Sequence, residues 1–396
     1  MNQCEIAEIL YESAKDTKQH IIQLNSATSF SADEFLHILE SLVKIYHSLS
    51  LDKKILHLTE EFMNSRFDTQ SETDVQLFQK QYLNILNHII YESISYRKKY
   101  CIIQRNDPIP GLASHIITNL GQISLCLQEG YIPVIDMQFS NNMFSALSKE
   151  STENPWELFF KQPLPGTSVT AALSSHACAK KDGIPKFMPN YSMDCLSNPH
   201  LLDFWKNSMQ QYMPFSDNLN NLIQSTLNDL PFENSKILGV LCRGTDYLSL
   251  RPYNHPCQPD CREIIDEATK IMERYQCEYC YLATEDEEIR RRFSESLGNK
   301  LITSQKMYFA HDQRAILSSV YGNDLSQLYN KNAEYLVSLY LLSQCNCLLS
   351  GRTSGLIVSL LLNQTPYEYI RIWNQGKYGI DDVATLQSLS IAPITK

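Results

Sequence analysis

No apolar run in this chain approaches the length of a bilayer span. The longest clean stretches, such as LIVSLLL at 356–362, are about a third of what a transmembrane helix needs. The first residues, MNQCEIAEILYES, carry acids where a signal peptide has a basic region followed by apolar residues, which predicts a cytoplasmic protein. A basic excess is missing too. Lys and Arg number 34 against 44 Asp and Glu, a formal charge of −10. That balance argues against a general nucleic-acid binder, though not against a local basic patch. No G-x-G-x-x-G occurs, so a dinucleotide dehydrogenase is disfavoured. No Gly-Lys-Ser/Thr ending occurs, so a Walker-type nucleotide hydrolase is disfavoured as well. Nor is there an Asp-x-Asp pair of the kind that holds a divalent ion, and no metal is expected.

What is present is enough for a large core. Apolar residues make up 43% of 396, with 22 Tyr, 15 Phe and 3 Trp. A mainly disordered chain is excluded, and the length suits two or three domains. There are 12 cysteines. Without an export signal they are expected as reduced thiols, several buried in strands. Cys257, Cys261, Cys277 and Cys280 have a spacing that resembles a zinc site. Cys280, however, lies inside the apolar run YCYLAT, where a strand residue cannot turn with Cys277 as a knuckle pair does.

Residues 1–97 read as a helical region. Ser31 to Glu34 form a capping box ahead of FLHILESLVKIYHSL. The polar segment 65–74 follows. A second helix over about 76–96 carries Leu77, Phe78, Leu83, Leu86, Ile90 and Ile94 on one stripe. From 98 the rhythm changes to a strand, a Pro/Gly loop, an apolar helix and a strand, the mark of a parallel sheet. Residues 140–235 read as irregular. From 236 strands and helices alternate again: KILGVLC, a polar loop to Asp260, a helix, YCYLAT, a helix, KLIT, a helix, NCLLS, GRTSG, a helix and EYIRI. The expected domains are therefore 1–97, 98–235 and 236–396. Open parallel sheets bind ligands beyond the carboxyl ends of their strands, so chemistry is sought there.

Three strand ends stand out. Arg243-Gly244-Thr245-Asp246-Tyr247 follows KILGVLC. Arg243 can fork onto a diphosphate, Gly244 can let backbone approach a ligand, and Asp246 can hold Arg243 or a sugar hydroxyl. A surface turn with a local Arg–Asp pair is the plainer alternative. Thr284-Glu285-Asp286 follows YCYLA. It reads either as a capping box with Glu287 or as carboxylates that accept hydrogen bonds from a nucleobase, a ribose or a sugar. Ser350–Gly355 joins a strand to an apolar helix, so Thr353 and Ser354 lie at a helix N-terminus that favours phosphate or serves as a plain cap. In the first half, His115 opens the helix after a loop containing Gly111.

Taken together, VLCRGTDY, then HP at 255–256, YLATEDEEI and LLSQCNCLLSGRTSGLIVSLLL resemble the donor half of the fucosyltransferase superfamily. The nearest likeness is to α-1,6-fucosyltransferases and their bacterial relatives in surface-polysaccharide synthesis. GLASHIITNLGQISLCLQEGYIPVIDM and NPWELFF resemble the acceptor half of the bacterial members. The resemblance spans about 99–380 and implies a GT-B-like α/β architecture. Two Rossmann-like, doubly wound domains would follow the N-terminal helical region.

By resemblance, Arg243 binds the donor's diphosphate with Asp246 beside it. Glu285 and Asp286 match an acidic pair near the nucleotide. Thr353 and Ser354 match a pair that meets phosphate, and His115 matches a polar residue that faces the donor. Thr245, Tyr247 and Thr284 complete the donor-binding set. The implied reaction is inverting transfer from GDP-fucose to a glycan hydroxyl without a metal. The transfer of another nucleotide-linked sugar, or binding without catalysis, are alternatives. The candidate bases are Asp246, then Glu285 and Asp136. Three positions depart from the family pattern. Gly244 replaces a second arginine, Arg251 replaces a proposed catalytic glutamate, and Ser338 replaces an acid. A membrane-linked acceptor would be reached by peripheral association.

Overall fold

The computed structural model describes residues 3–23, 32–47, 59, 61–62, 64, 72–97, 99–145, 153–175, 177–312, 324–380 and 389–391. Ser31 of the expected capping box and positions 65–71 of the polar segment lie outside the described residues. By its contacts the chain divides into two compact units. The first comprises Met1–Ile102, Leu125–Val134 and Thr170–Ala179. The second comprises Ile103–Ser124, Ile135–Val169 and Lys180–Lys396. Among the described residues no helix is long and apolar enough to cross a membrane.

The first unit is built on α1 (Gln3–Gln23), α2 (Ala32–His47) and α3 (Glu72–Arg97). Their apolar faces meet in one core that includes Leu10, Ala14, Leu39, Phe78, Tyr82 and Leu86. The α3 stripe is rotated from the sequence expectation. Leu77 is exposed, whereas Tyr82, Ile85 and Ile89 are buried. Spacings of three and four from Phe78 select those positions, and Leu77 falls just off the face. Tyr82 can be buried because its hydroxyl donates to the Phe35 carbonyl at 2.7 Å.

Next come β1 (Tyr100–Gln104), α4 (Leu112–Gln128) and β2 (Ile132–Ile135), as the rhythm predicted. Ile132 N–H donates to Lys99 O and Asp136 N–H to Ile103 O, a pairing that advances equally on both strands, as in a parallel pair. The segment expected to be irregular holds α5 (Val169–Leu173), β3 (Cys178–Asp182), α6 (Met193–Leu196), α7 (Pro199–Tyr212) and α8 (Asp217–Asn228). Its Asn, Ser and Pro residues punctuate helices. Ser192, Asn198 and Ser216 are N-caps, and Pro199 opens α7. The sheet order is β2-β1-β3.

The remainder is a six-stranded sheet. Its elements are β4 (Ile237–Leu241), α9 (Thr245–Leu250), α10 (Cys261–Tyr275), β5 (Tyr279–Ala283), α11 (Glu287–Leu297), β6 (Leu301–Ile302), α12 (Leu325–Gln344), β7 (Cys347–Gly351), α13 (Ser354–Leu362), β8 (Tyr369–Trp373) and β9 (Leu389–Ile391). Strand order is β6-β5-β4-β7-β8-β9, parallel except for β9. The stretch read as one polar loop after β4 thus contains the short helix α9. β4 and β7 are buried along their whole length, which explains their unbroken apolar runs. α10 turns Ile264, Ala268, Ile271 and Met272 onto the sheet. Every residue of α13 from Gly355 to Leu361 is buried, and the helix packs on α12 and α7.

The zinc-like cysteines do not converge. All are free thiols: Cys261 is hydrogen-bonded with Cys242, Cys277 with Cys347, and Cys280 is fully buried in β5. Burial pushes the Cys280 thiol up and keeps it protonated.

Candidate functional site

Chain order in the larger sheet reverses beside β4. The chain runs to β5 and β6 on one side, then returns to β7 and β8 on the other. Ligands of such sheets bind outside the carboxyl ends of strands at this switch point. The segments leaving β4, β5 and β7 are the three strand ends singled out in the sequence, and the first two are bonded to each other.

Asp286 is the hub of that pairing. It is fully buried, and its Oδ1 accepts the N–H groups of Glu288 (2.9 Å) and Ile289 (3.1 Å) as the N-cap of α11. Its Oδ2 accepts Thr245 N–H at 2.9 Å and contacts His311 Nδ1 at 2.6 Å. The N-cap therefore lies two residues later than expected, and with Ile289 at the third helical position no capping box forms. Thr284 instead takes the Asp286 N–H on its hydroxyl, while its own N–H donates to Gln305 Oε1. Gly244 has a structural reason as well. A Cβ there would collide with Asp286 Oδ2 and stand 2.6 Å from Asp286 Cβ. The close approach is thus to this side chain.

Thr245 is held in the left-handed region, at φ +48°, which is costly for a β-branched residue. Its surroundings over-determine it. Besides its N–H bond to Asp286, its hydroxyl bonds Glu285 Oε1 at 3.0 Å. Glu285 Oε1 also accepts Gly244 N–H at 3.0 Å.

Arg243 stands over this frame. Its Nη2 donates to Asp246 Oδ1 at 3.1 Å, and its Nη1 lies 3.3 Å from Glu285 Oε1. The Tyr247 ring lies 5.8 Å from the guanidinium. Burial alone would disfavour the cation, but Glu285 and then Asp246 outweigh it and hold the group charged. About a quarter of the side chain, 26%, is exposed. Two of its N–H groups are engaged and the others are available to an anion.

α12 adds residues that the sequence reading missed. Lys331 and Tyr335, one turn apart on one face, act electrostatically on Arg243 and its carboxylates. Burial is the main cause that pushes the Lys331 ammonium down to about 8, with Asp246 opposing and Arg243 assisting. Burial pushes the Tyr335 phenol up to about 12. The signal available in sequence was a lysine and a tyrosine at i, i+4 in the polar first half of the helix, just ahead of its apolar run. Ser338 is turned to its own helix, where its hydroxyl donates to Tyr335 O at 2.7 Å.

At the end of β7, Thr353 is the N-cap of α13, its Oγ1 accepting Leu356 N–H at 3.1 Å, and Ser354 is the first helical residue. Arg352 was also passed over. It is buried, and its Nη2 donates to Gly376 O at 3.1 Å. Arg251 is the exposed C-cap of α9, at φ +44°.

His115 is not joined to this cluster by any hydrogen bond or ion pair among the described residues. It is buried in the first turns of α4, its Nε2 has no partner, and burial, aided by Arg105, pushes its pKa down to about 3. The ring is therefore neutral near pH 7. Asp136 is occupied in a turn. Its oxygens accept from Gln138 N, Phe139 N and Gln104 Nε2. A separate groove of about 550 Å³, lined by Glu157, Lys161, Gln162 and Asp217, shares no residue with the cluster. Among the described residues no group of three or more His, Cys, Asp or Glu is placed to hold a metal.

No family model matches the chain. No curated protein matches it. Fucosyltransferases are among the solved structures it is similar to. NodZ from Bradyrhizobium is 13% identical with a TM-score of 0.43, covering 74% of this chain and 99% of that one. The NodZ α-1,6-fucosyltransferase soaked with GDP-fucose is 14% identical with a TM-score of 0.42, at the same coverage. FUT1 of Arabidopsis thaliana in complex with GDP is 9% identical with a TM-score of 0.42, covering 69% of this chain and 70% of that one. Likeness at this distance assigns no role to a residue here.

Proposed function

We propose that this chain is a glycosyltransferase that moves fucose from GDP-fucose to a glycan hydroxyl. In this reading the fold is GT-B-like, with residues 236–396 as the donor half, 98–235 as the acceptor half and the helical region 1–97 before them. The observation that carries the proposal is the place and state of Arg243. It is a guanidinium held charged at the switch point of a parallel sheet, beside the strand that feeds the N-terminus of α13. A diphosphate suits such a place, and the motif resemblance around these strand ends supplies guanosine and fucose.

As the glycosidic bond breaks, negative charge grows on the leaving phosphate. Arg243 and the α13 N-terminus, with Thr353 and Ser354, would stabilise it where it forms, in the role a divalent metal has in other sugar transferases. An acceptor oxygen attacking the opposite face inverts the anomeric centre in a single displacement. We assign Asp246 and Glu285 to aiming Arg243, since a carboxylate bonded to a guanidinium is a poor proton acceptor. Lys331 would add positive charge beside them. Tyr247, Thr245 and Thr284 support this loop frame, and His115 keeps its proposed donor-facing role as a neutral imidazole.

The test is calorimetry with GDP, GDP-fucose and UDP-glucose, followed by turnover on a glycan panel with and without chelator. Tighter binding of UDP-glucose than GDP-fucose would refute the donor assignment. Activity lost to chelator and restored by manganese would refute metal independence. A second reading, nucleotide binding without transfer, is favoured by Arg251, an exposed helix cap where the resembled enzymes carry a proposed catalytic glutamate. Binding of GDP-fucose with no turnover on any acceptor would select it.

A further inference from the structure

The loops that follow the strands of the smaller sheet are tied together by one side chain. Asn106, after β1, takes Asp182 at the end of β3 through its backbone N–H (3.1 Å) and its Nδ2 (2.7 Å). Its Oδ1 accepts the N–H of Asn141, in the loop after β2, at 3.0 Å. Each tied loop presents a large apolar residue to solvent within three positions of the tie. Ile109 is 60% exposed, Phe139 65% and Ile184 60%. Three residues beyond Ile184 the 50%-exposed Phe187 packs tilted against Trp205, ring centroids 4.8 Å apart, and adds a fourth exposed apolar side chain.

This surface is rigidly backed. The 183–188 segment lies so close on α4 that a Cβ at Gly121 would stand 2.6 Å from Phe187 O and from Met188 Cβ. Gln122 Nε2 donates to Gly183 O at 3.0 Å, and Gly183 takes the positive φ of +88° that the turn needs. The apolar side chains are therefore held outward by a built support.

The charge around the patch opposes that of the chain. Against a net −10, the run 180–187 carries Lys180, Lys181 and Lys186, with Asp182 the sole acid. Lys180 and Lys186 are exposed. Of the other acids on these loops, the half-buried Asp107 lies 3.9 Å from the Arg105 guanidinium, and Asp136 is buried. Aliphatic and aromatic tips among lysines, on an otherwise acidic protein, fit an interface with anionic headgroups above and acyl chains below. A glycan platform would want flat aromatic faces flanked by amides, and two of these apolar tips are isoleucines.

We propose that this surface, built from Ile109, Phe139, Ile184 and Phe187 with Lys180 and Lys186, docks the protein on anionic lipid bilayers. The docking goes beyond the donor chemistry and stands whether or not the proposed transferase reading holds. It is tested by sedimenting the full chain with phosphatidylcholine vesicles, with and without phosphatidylglycerol. Binding is expected only where the anionic lipid is present, and should weaken with salt. Lys180→Gln and Lys186→Gln should each lower partitioning about fivefold, as expected of one basic residue near a charged surface. Phe139→Ser with Ile184→Ser should lower it about tenfold or more at unchanged Tm, since both side chains are exposed in the free protein. GDP affinity should be unchanged in all of these variants, which separates this surface from the donor site. Equal binding to neutral vesicles, or wild-type partitioning by the variants, would overturn the proposal. So would loss of soluble-glycan binding in the Phe139/Ile184 variant with vesicle binding intact, which would make the patch a glycan platform.

Discussion

Replacing Arg243 by alanine tests the site through stability as well as through chemistry. In the structure Arg243 is the cation shared by Asp246 and Glu285, whose side chains are only 9% and 14% exposed. Its removal leaves two nearly buried carboxylates without their counter-ion. Breaking a fully buried pair costs about 3–5 kcal/mol, and partial exposure of Arg243 lowers this to about 2–3 kcal/mol. With an unfolding entropy of roughly 2 cal/mol/K per residue, Tm should fall by about 2–4 °C. Arg243→Lys should recover only part, because one ammonium cannot meet both carboxylates at their present spacing. Asp246→Asn combined with Arg243→Ala should be less destabilising than the sum of the two, with a coupling of about 1–2 kcal/mol. Thermal melts of the four species in a double-mutant cycle measure this without any ligand. In the transferase assay, Arg243→Ala should lower kcat by about 10²–10³ while the KM for the donor changes less. Unchanged Tm together with zero coupling would show that the Arg243–Asp246–Glu285 cluster is not formed in solution, and the argument built on it would fail.

Gly244→Ala should lower stability by about 1–3 kcal/mol, because its Cβ would displace Asp286 from both the α11 cap and Thr245; a melt identical to wild type would contradict this packing. Lys331, held to about 8, should lose its charge between pH 7 and 9. GDP affinity measured by calorimetry should fall across that window, and Lys331→Met should flatten the profile at a lower affinity. His115 is neutral in the folded chain down to about pH 3 but protonates near 6.5 when unfolded. The unfolded chain therefore binds the extra proton in between, and folding stability should drop as pH falls from 6.5 toward 3, by up to about 1.4 kcal/mol per pH unit. His115→Gln should remove that part of the slope in pH-dependent denaturant melts; an unaltered slope would mean that the ring is not buried.

The alternation of strands and helices after residue 236 was legible because parallel strands are buried on both faces and must be apolar throughout, as β4 and β7 are. The three polar strand ends were legible for the same reason, since polarity returns where a strand leaves the core. Helices between 169 and 228 escaped because their caps, Ser192, Asn198 and Ser216, are also the residues of irregular loops. Periodicity placed α3 but not its buried face, since Leu77 and Phe78 are both strongly apolar and only packing into the shared helical core separates them.

Residue types at the site were set by the sequence, but their partners were set by the fold. Nothing local reveals that Asp286 reaches across 41 positions to Thr245, that Gly244 is small for the sake of that carboxylate, or that Glu285 shares Arg243 with Asp246. Lys331 and His115 show the same division. A sequence fixes that a lysine or histidine is present, whereas its proton affinity is decided by burial and by the charges that the tertiary structure brings within a few ångströms.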